Sequence, residues 1–285
     1  METGHRFMTK KKTNNGLDIA DTNFKKLSIQ VSLNGLSFCV IDTVSQKILY
    51  SDKQVFPEEL NPIAVLKELE QLFEKHQLTT KVFDEVIVIH RNTLFTLVPK
   101  PLFDVNELHH YLKFNTKVLP TDTLAYDELK NQDMVNVYVP YTNINNYIYE
   151  LFGEFSFFHN GSILVQSLLN SYAKNNEHVC YINVGKRQLD ITVTSGKNLK
   201  LYNSFLYETK EDFAYYILFV LEQLELDTET VVVKMFGAIS EDDERYQLCY
   251  TYIKHITIFT PNSLHHSALG EPEDESIDFT ILNSL

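Results

Sequence analysis

The sequence predicts an α/β protein made of two halves that share one order of elements, β-β-β-α-β. Three observations carry this expectation. The order is read once from residue 27 onward and again from residue 179 onward. Each copy closes on a nearly unbroken apolar run, as expected of a parallel strand buried on both faces. The turn glycines of the two copies, Gly35 and Gly185, lie 150 positions apart (185 − 35), about half of the 285 residues.

In the first copy, Leu27–Leu33 alternates as LSIQVSL and is followed by Asn34-Gly35 and then LSFCVID. Two alternating runs joined by Asn-Gly are a strong hairpin signal, because that turn needs positive φ at both central residues. After a polar turn at Thr43–Gln46 a third strand runs through KILY into KQVF, and Pro57 ends the meander. Pro62 suits a first helical turn. Ile63, Leu66, Leu69, Leu72 and Phe73 then recur at helical spacing to about His76. The run VFDEVIVIH, with Val86–Ile89 at its centre, supplies the closing strand.

The second copy opens with Val179–Val184, turns through Gly185-Lys186-Arg187 into QLDITVT, and turns again at Ser195–Asn198 into LKLYNSFLY. Phe213, Tyr216, Ile217, Val220, Leu221 and Leu224 form one helical stripe, and VVVKMFGAI is the closing strand. Between the copies FTLVPKPLF, MVNVYVPY and EFSFFH are expected strands, the first two broken by proline. Val105–Phe114, Asn143–Phe152 and Ser162–Tyr172 are expected helices. These pieces complete the first half and add a small inserted subdomain.

The expected organisation is a flexible N-terminal arm over 1–26, a first domain with its insertion over 27–175, a second domain over 176–262, and an acidic disordered tail over 263–285. Translation starts at Met1 or at Met8. For the last apolar residues, Phe279, Ile281, Leu282 and Leu285, fraying is the main expectation and docking elsewhere on the protein the alternative.

Hydrophobic residues make up 44% and charged residues 22%, enough apolar material for packed cores. The formal net charge of −13 argues against general binding to nucleic-acid phosphates, which rests on Lys and Arg. It argues equally against an anionic membrane surface. The longest apolar run, Phe213–Leu221, falls short of the roughly 18 residues that a membrane-spanning helix needs. The opening stretch is polar and basic rather than a secretory leader. Cys39, Cys180 and Cys249 stand far apart in apolar runs, which suits buried thiols in a reducing compartment. A cytoplasmic protein without a metal site is expected.

Three antiparallel strands, a crossover helix and a parallel strand, used twice, resemble the paired ribonuclease-H-like domains of the actin, Hsp70 and sugar-kinase superfamily. This resemblance to the actin-like ATPase fold covers about Leu27 to Pro261. The run VPKPLFDVNELHHYLKF, followed by DTLAYDELKNQDMVNVYVPY, is similar to the actin-like assembly proteins of type IV pilus and type II secretion machines. More closely still, the chain resembles a bacterial family of unknown function with this fold.

In active members of that superfamily an Asp-x-Gly loop follows the first strand of each half. The resemblance implies amides that cradle phosphate and a carboxylate that positions Mg²⁺ or water. The candidate nucleotide-binding residues are then Asn34 and Gly35 in the first loop, and Asn183, Gly185 and Lys186 in the second. Gly237 stands where the superfamily packs a Gly-Gly pair against adenosine, with Ala238 in place of the second glycine. Leu33 occupies the acidic place of the first loop and Asn183 that of the second. Turn geometry alone also accounts for the glycines, and solvation for Lys186 and Arg187.

Other chemistry is missing from the sequence: no GxxxxGK[ST] loop, no GxSxG elbow and no HExxH. Asp42 and Asp190 sit near second-strand positions, one in each half, and do not assemble a two-metal site. Glu241–Glu244 opens an expected helix, where negative charge favours the dipole. The loops keep their glycines and lose their acids, and with them the electrostatic stabilisation on which phosphoryl transfer depends. The sequence is therefore read as a non-catalytic scaffold or interaction protein with degenerate nucleotide-binding loops, an unknown protein partner and no cofactor. The alternative is an ATP-binding protein with slow or regulatory ATPase activity, using ATP and Mg²⁺.

Overall fold

A computed structural model describes residues 24–45, 47–114, 116–119, 122–130, 132–171, 177–260 and 277–284. Residues 1–23 of the expected N-terminal arm, with the start at Met8, and most of the acidic tail fall outside these residues. Lys25 and Lys26, expected in the arm, already belong to the first strand. The chain divides into two compact units, Met1–Ile163 with Ser263–Leu285, and Leu164–Asn262.

The first unit is built on β1 (Lys25–Ser32), β2 (Gly35–Asp42) and β3 (Lys47–Val55), followed by α1 (Pro62–Lys75) and β4 (Glu85–His90). With β8 (Ser156–His159) they form a sheet of order β3-β2-β1-β4-β8. The first three strands pair antiparallel, while β4 runs parallel to β1 and β8 parallel to β4. The period-2 alternation puts Leu27, Ile29 and Val31 on one face, in a common core with Val65, Leu69, Leu72 and Phe73 of α1. Ile144 and Ile148 of α3 (Thr142–Phe152) complete that layer.

Helix α1 starts where the Asn61 side chain accepts from Ala64 N at 2.9 Å. Pro62 stands at the first helical position, where its missing N–H costs nothing. Ile63, expected on the buried stripe, is 70% exposed, because Val65 and Leu69 turn the buried face away from it.

The first hairpin forms, but its turn is not Asn34-Gly35. The connecting residues are Leu33 and Asn34, and Gly35 already pairs with Ser32 across the sheet. The Ser32 hydroxyl accepts from Asn34 N (3.3 Å) and donates to Gly35 O (2.9 Å), which holds the turn shut. Gly35 does not take up left-handed backbone; it is small because a Cβ there would lie 2.6 Å from the Gln54 carbonyl.

The insertion contains β5 (Phe95–Pro99), α2 (Leu108–Leu112), β6 (Ala125–Leu129) and β7 (Met134–Tyr138). Its sheet has the order β5-β7-β6 and is antiparallel throughout. The helix expected over Val105–Phe114 is shorter: a 3₁₀ turn, Val105–Glu107, precedes α2, with Asp104 accepting from Asn106 N. α4 (Asn160–Ser171) begins two residues before its expected start.

The second unit repeats the strand order. It comprises β9 (His178–Val184), β10 (Gln188–Ser195), β11 (Asn198–Leu206), α5 (Lys210–Gln223), β12 (Val232–Gly237), α6 (Glu244–Tyr250) and β13 (His255–Ile258). Their sheet has the order β11-β10-β9-β12-β13, again with three antiparallel strands and then two parallel ones. Helix α5 opens with a capping box between Thr209 and Asp212 and buries Phe213, Ile217, Val220 and Leu221 on this sheet. At α6 the expected acidic cap is Asp243, which accepts from Arg245 N at 2.8 Å.

The end of the chain corrects the expectation of a fraying tail. Phe279–Ser284 form a short helix, α7, and Phe279, Thr280, Ile281 and Leu282 are buried. Ile281 joins Cys39, Ile41, Ile87 and Ile89 on the second face of the first sheet.

Candidate functional site

The residues proposed for nucleotide contact fall at one loop in each unit and, with Gly237, at the end of a strand of the second unit. In the first unit Asn34 and Gly35 are half-buried at the β1–β2 turn. The Asn34 carbonyl accepts from Phe56 N (2.9 Å) and the neighbouring Leu33 carbonyl from Leu60 N (2.9 Å). The turn is thus tied to the segment leaving β3.

The second loop is held from three sides. Gly185 N donates to Gln188 O (2.8 Å), closing the turn between β9 and β10. The Tyr207 hydroxyl donates to Gly185 O (2.6 Å) and itself accepts from Arg245 Nη1. Arg245 Nη2 also donates to Ala238 O (2.8 Å), and the guanidinium lies 5.7 Å from the ring centres of both Tyr207 and Phe213. Its ion pair with Asp243 holds that carboxyl below the usual carboxylate range. Lys186 and Arg187 are exposed at the tip.

Gly237 ends β12 against this loop. Its φ of 90° is left-handed, and a Cβ would stand 2.5 Å from Val184 O and 3.0 Å from Asn183 Oδ1. The next amide, Ala238 N, donates to Val184 O (2.8 Å). The structure therefore brings Asn183, Gly185 and Gly237 together within the second unit.

Sequence reasoning missed what lies behind them. Asp190 is fully buried and faces Asn183 across the β9–β10 pair. Its carboxylate accepts from Ser204 Oγ at 2.7 Å, and from Asn183 Nδ2 and Gln188 Nε2 at 3.3 Å each. Gln188 Nε2 also reaches Ser204 Oγ at 2.7 Å. The available signal was an acid at an inward position of an otherwise apolar-and-threonine strand, since buried charges need partners. Asp42, by contrast, caps a turn through Val44 N and Ser45 N.

A second buried polar group joins the insertion to the first sheet. His90 and His159 are register partners at the ends of β4 and β8. His90 Nδ1 accepts from Tyr141 N (3.2 Å) and His159 Nδ1 from Gly161 N (3.1 Å). Each ring therefore carries its proton on Nε2, which donates to Asn145 Oδ1 (2.9 Å) in His90 and to Asn92 O (3.1 Å) in His159. Burial lowers both imidazoles to about 3. Asp127 on β6 accepts from His159 N (2.8 Å) and the Tyr138 hydroxyl (3.1 Å), and burial pushes its carboxyl up to about 7.

Among the described residues no group of three or more His, Cys, Asp or Glu could hold a metal ion. Among them, too, no helix is long and apolar enough to cross a membrane.

Comparison with known proteins places this geometry. Residues 13–256 match a family described as a protein of unknown function, DUF3822. No curated protein matches the sequence. A crystal structure from Bacteroides thetaiotaomicron, of a protein with actin-like ATPase fold and unknown function, is similar over 90% of this chain and 98% of its own, with 22% identity and a TM-score of 0.74. The PilM-PilN type IV pilus biogenesis complex is similar over 91% of this chain and 94% of its own, with 11% identity and a TM-score of 0.54. The fold is thus the actin-like ATPase fold.

Proposed function

The chain belongs to the DUF3822 family of proteins of unknown function, and from that footing we propose that it is a non-catalytic interaction protein on an actin-like scaffold, with a protein as its partner. One observation carries this reading: three amides at these loops are spent inside the chain. Asn34 N goes to Ser32 Oγ, Gly185 N to Gln188 O and Ala238 N to Val184 O. A phosphate cradle needs such N–H groups free and convergent on the anion.

The acid beside the second loop supports the same reading. Asp190 is buried behind Asn183 and accepts from three side chains, so it organises the loop from within rather than meeting a solvent-borne cation. The pilus biogenesis complex, alike in fold, is an instance of this architecture in a protein assembly. Three buried cysteines outside any disulfide suit a reducing, cytoplasmic setting for such a role.

A phosphate-release assay tests the proposal. With Mg-ATP the chain should release phosphate no faster than protein-free buffer. Turnover that saturates with ATP would overturn it and favour the slow ATPase.

A further inference from the structure

The two faces of the first sheet are built differently. On one, Leu27, Ile29, Val31, Leu36, Phe38 and Val40 form an unbroken apolar surface under α1 and α3. On the other, a polar row of Ser28, Gln30 and Ser37 stands beside the apolar Cys39, Ile41, Ile87 and Ile89, and α7 packs on this face.

We propose that this second face is a docking seat for a short helical peptide that carries an aspartate ahead of aliphatic residues, and that the chain's own α7 is its exchangeable occupant.

The seat is a single register row. Gln30 pairs with Ser37 across β1 and β2, and Ser37 with Lys53 across β2 and β3. One carboxylate, that of Asp278, accepts from all three: Gln30 Nε2 at 3.1 Å, Ser37 Oγ at 2.5 Å and Lys53 Nζ at 2.7 Å. Farther along, the Thr280 hydroxyl bonds Gln30 Oε1, and the Ser284 and Ser28 hydroxyls meet at 2.6 Å.

These contacts keep step. Four helical residues, Thr280 to Ser284, rise about 6 Å; two strand residues, Gln30 to Ser28, span about 6.6 Å. Helix and strand therefore present matching hydroxyl and amide groups along their length, a form of recognition that a merely apolar lid does not need.

The polar seat also fits exchange. A face that stays covered is best apolar, as its reverse is, because each buried polar group must find a partner. A face that is alternately covered and bare is better served by groups that water can satisfy. Lys53 keeps 39% of its side chain exposed and Asp278 keeps 16%, so solvent reaches the ion pair. With only six residues, α7 is too short to hold helical shape alone and takes it from the seat. A competing peptide would carry an aspartate in the place of Asp278 and apolar side chains in the places of Phe279, Ile281 and Leu282.

This inference rests on the reading of the chain as an interaction protein and names the chemistry of its ligand. The test pairs a chain ending at residue 276 with a synthetic peptide of residues 277–285, followed by calorimetry. The shortened chain should bind the peptide one to one, at least ten-fold more tightly than the intact chain does, and Asp278→Asn in the peptide should weaken binding at least ten-fold. No binding by a shortened chain that keeps the intact chain's circular dichroism, equal affinity for the Asn peptide, or equal uptake by the intact chain would each overturn the seat.

Should the shortened chain unfold, hydrogen exchange on the intact chain decides. The α7 amides should exchange at least 100-fold faster than those of α1, and Lys53→Ala should quicken α7 alone. Exchange of α7 only in step with α1 would make it fixed core and refute the proposal. Peptide binding together with ATP turnover would leave the seat standing and sink the reading of the loops.

Discussion

Asn183 and Asp190 face each other across β9 and β10, and the Asn183 amide donates to the Asp190 carboxylate over 3.3 Å. The acid that an Asp-x-Gly loop would carry at its mouth stands here on the neighbouring strand, fully buried. Its hydrogen bonds to Asn183, Gln188 and Ser204 brace the loop from behind.

Asn183→Asp should therefore destabilise the chain instead of simply restoring a metal ligand. Two carboxylates in register cannot both ionise cheaply, so the pKa of one is raised in the folded state. Stability is then kept below the ordinary carboxylate range and lost as pH rises through the raised value. Urea denaturation should show a loss of about 2–4 kcal/mol at pH 8 and much less at pH 5. A loss that does not change with pH would mean the two side chains do not interact. Recovery of the melting temperature by millimolar Mg²⁺ would revive the nucleotide reading.

Gly237 and Gly35 should respond differently to alanine. At Gly237 the left-handed backbone and the 2.5 Å approach to Val184 O act together, and Gly237→Ala should cost about 2–4 kcal/mol. At Gly35 the backbone is ordinary and only the Gln54 carbonyl is in the way, so β2 and β3 can part slightly for about 1–3 kcal/mol. Thermal melts of both variants check the order.

The buried histidines make the first unit sensitive to acid. Unfolded imidazoles titrate near 6.5, while those of His90 and His159 are held neutral down to about 3. Their contribution is complete above 6.5 and lost as pH falls toward 3. Asp127 works the other way: with its carboxyl pushed up to about 7, its contribution is complete below about 4 and lost as pH rises to 7. Between pH 4 and 6.5 these three groups leave one net proton, or about 1.4 kcal/mol per pH unit. Asp127→Asn should steepen the slope of stability against pH by that same amount. An unchanged slope would mean that Asp127 is ionised in the fold.

Much of the fold was legible because its signals are local. The alternation of Leu27–Leu33 and the run Val86–Ile89 fix which faces are buried, and Pro62 marks the first turn of its helix. The turn at Asn34-Gly35 was misread because Ser32, a side chain outside the motif, closes it. Ile63 was placed on the stripe by spacing alone, and spacing does not say where a stripe ends. Strand β6 and helix α7 were missed for one reason: each is short and stabilised by distant partners, Asp127 by His159 N and Asp278 by Lys53. The same limit hid the site, for neither the pairing of Asp190 with Asn183 nor the hold of Arg245 on Tyr207 can be read along the chain.

The most direct test of the central claim, that these loops serve the chain's own structure and not a nucleotide, is calorimetric titration of the intact protein with Mg-ATP. No saturable heat is expected at millimolar nucleotide. Saturable binding that weakens when Gly185 or Gly237 is replaced by valine in a folded variant would contradict it.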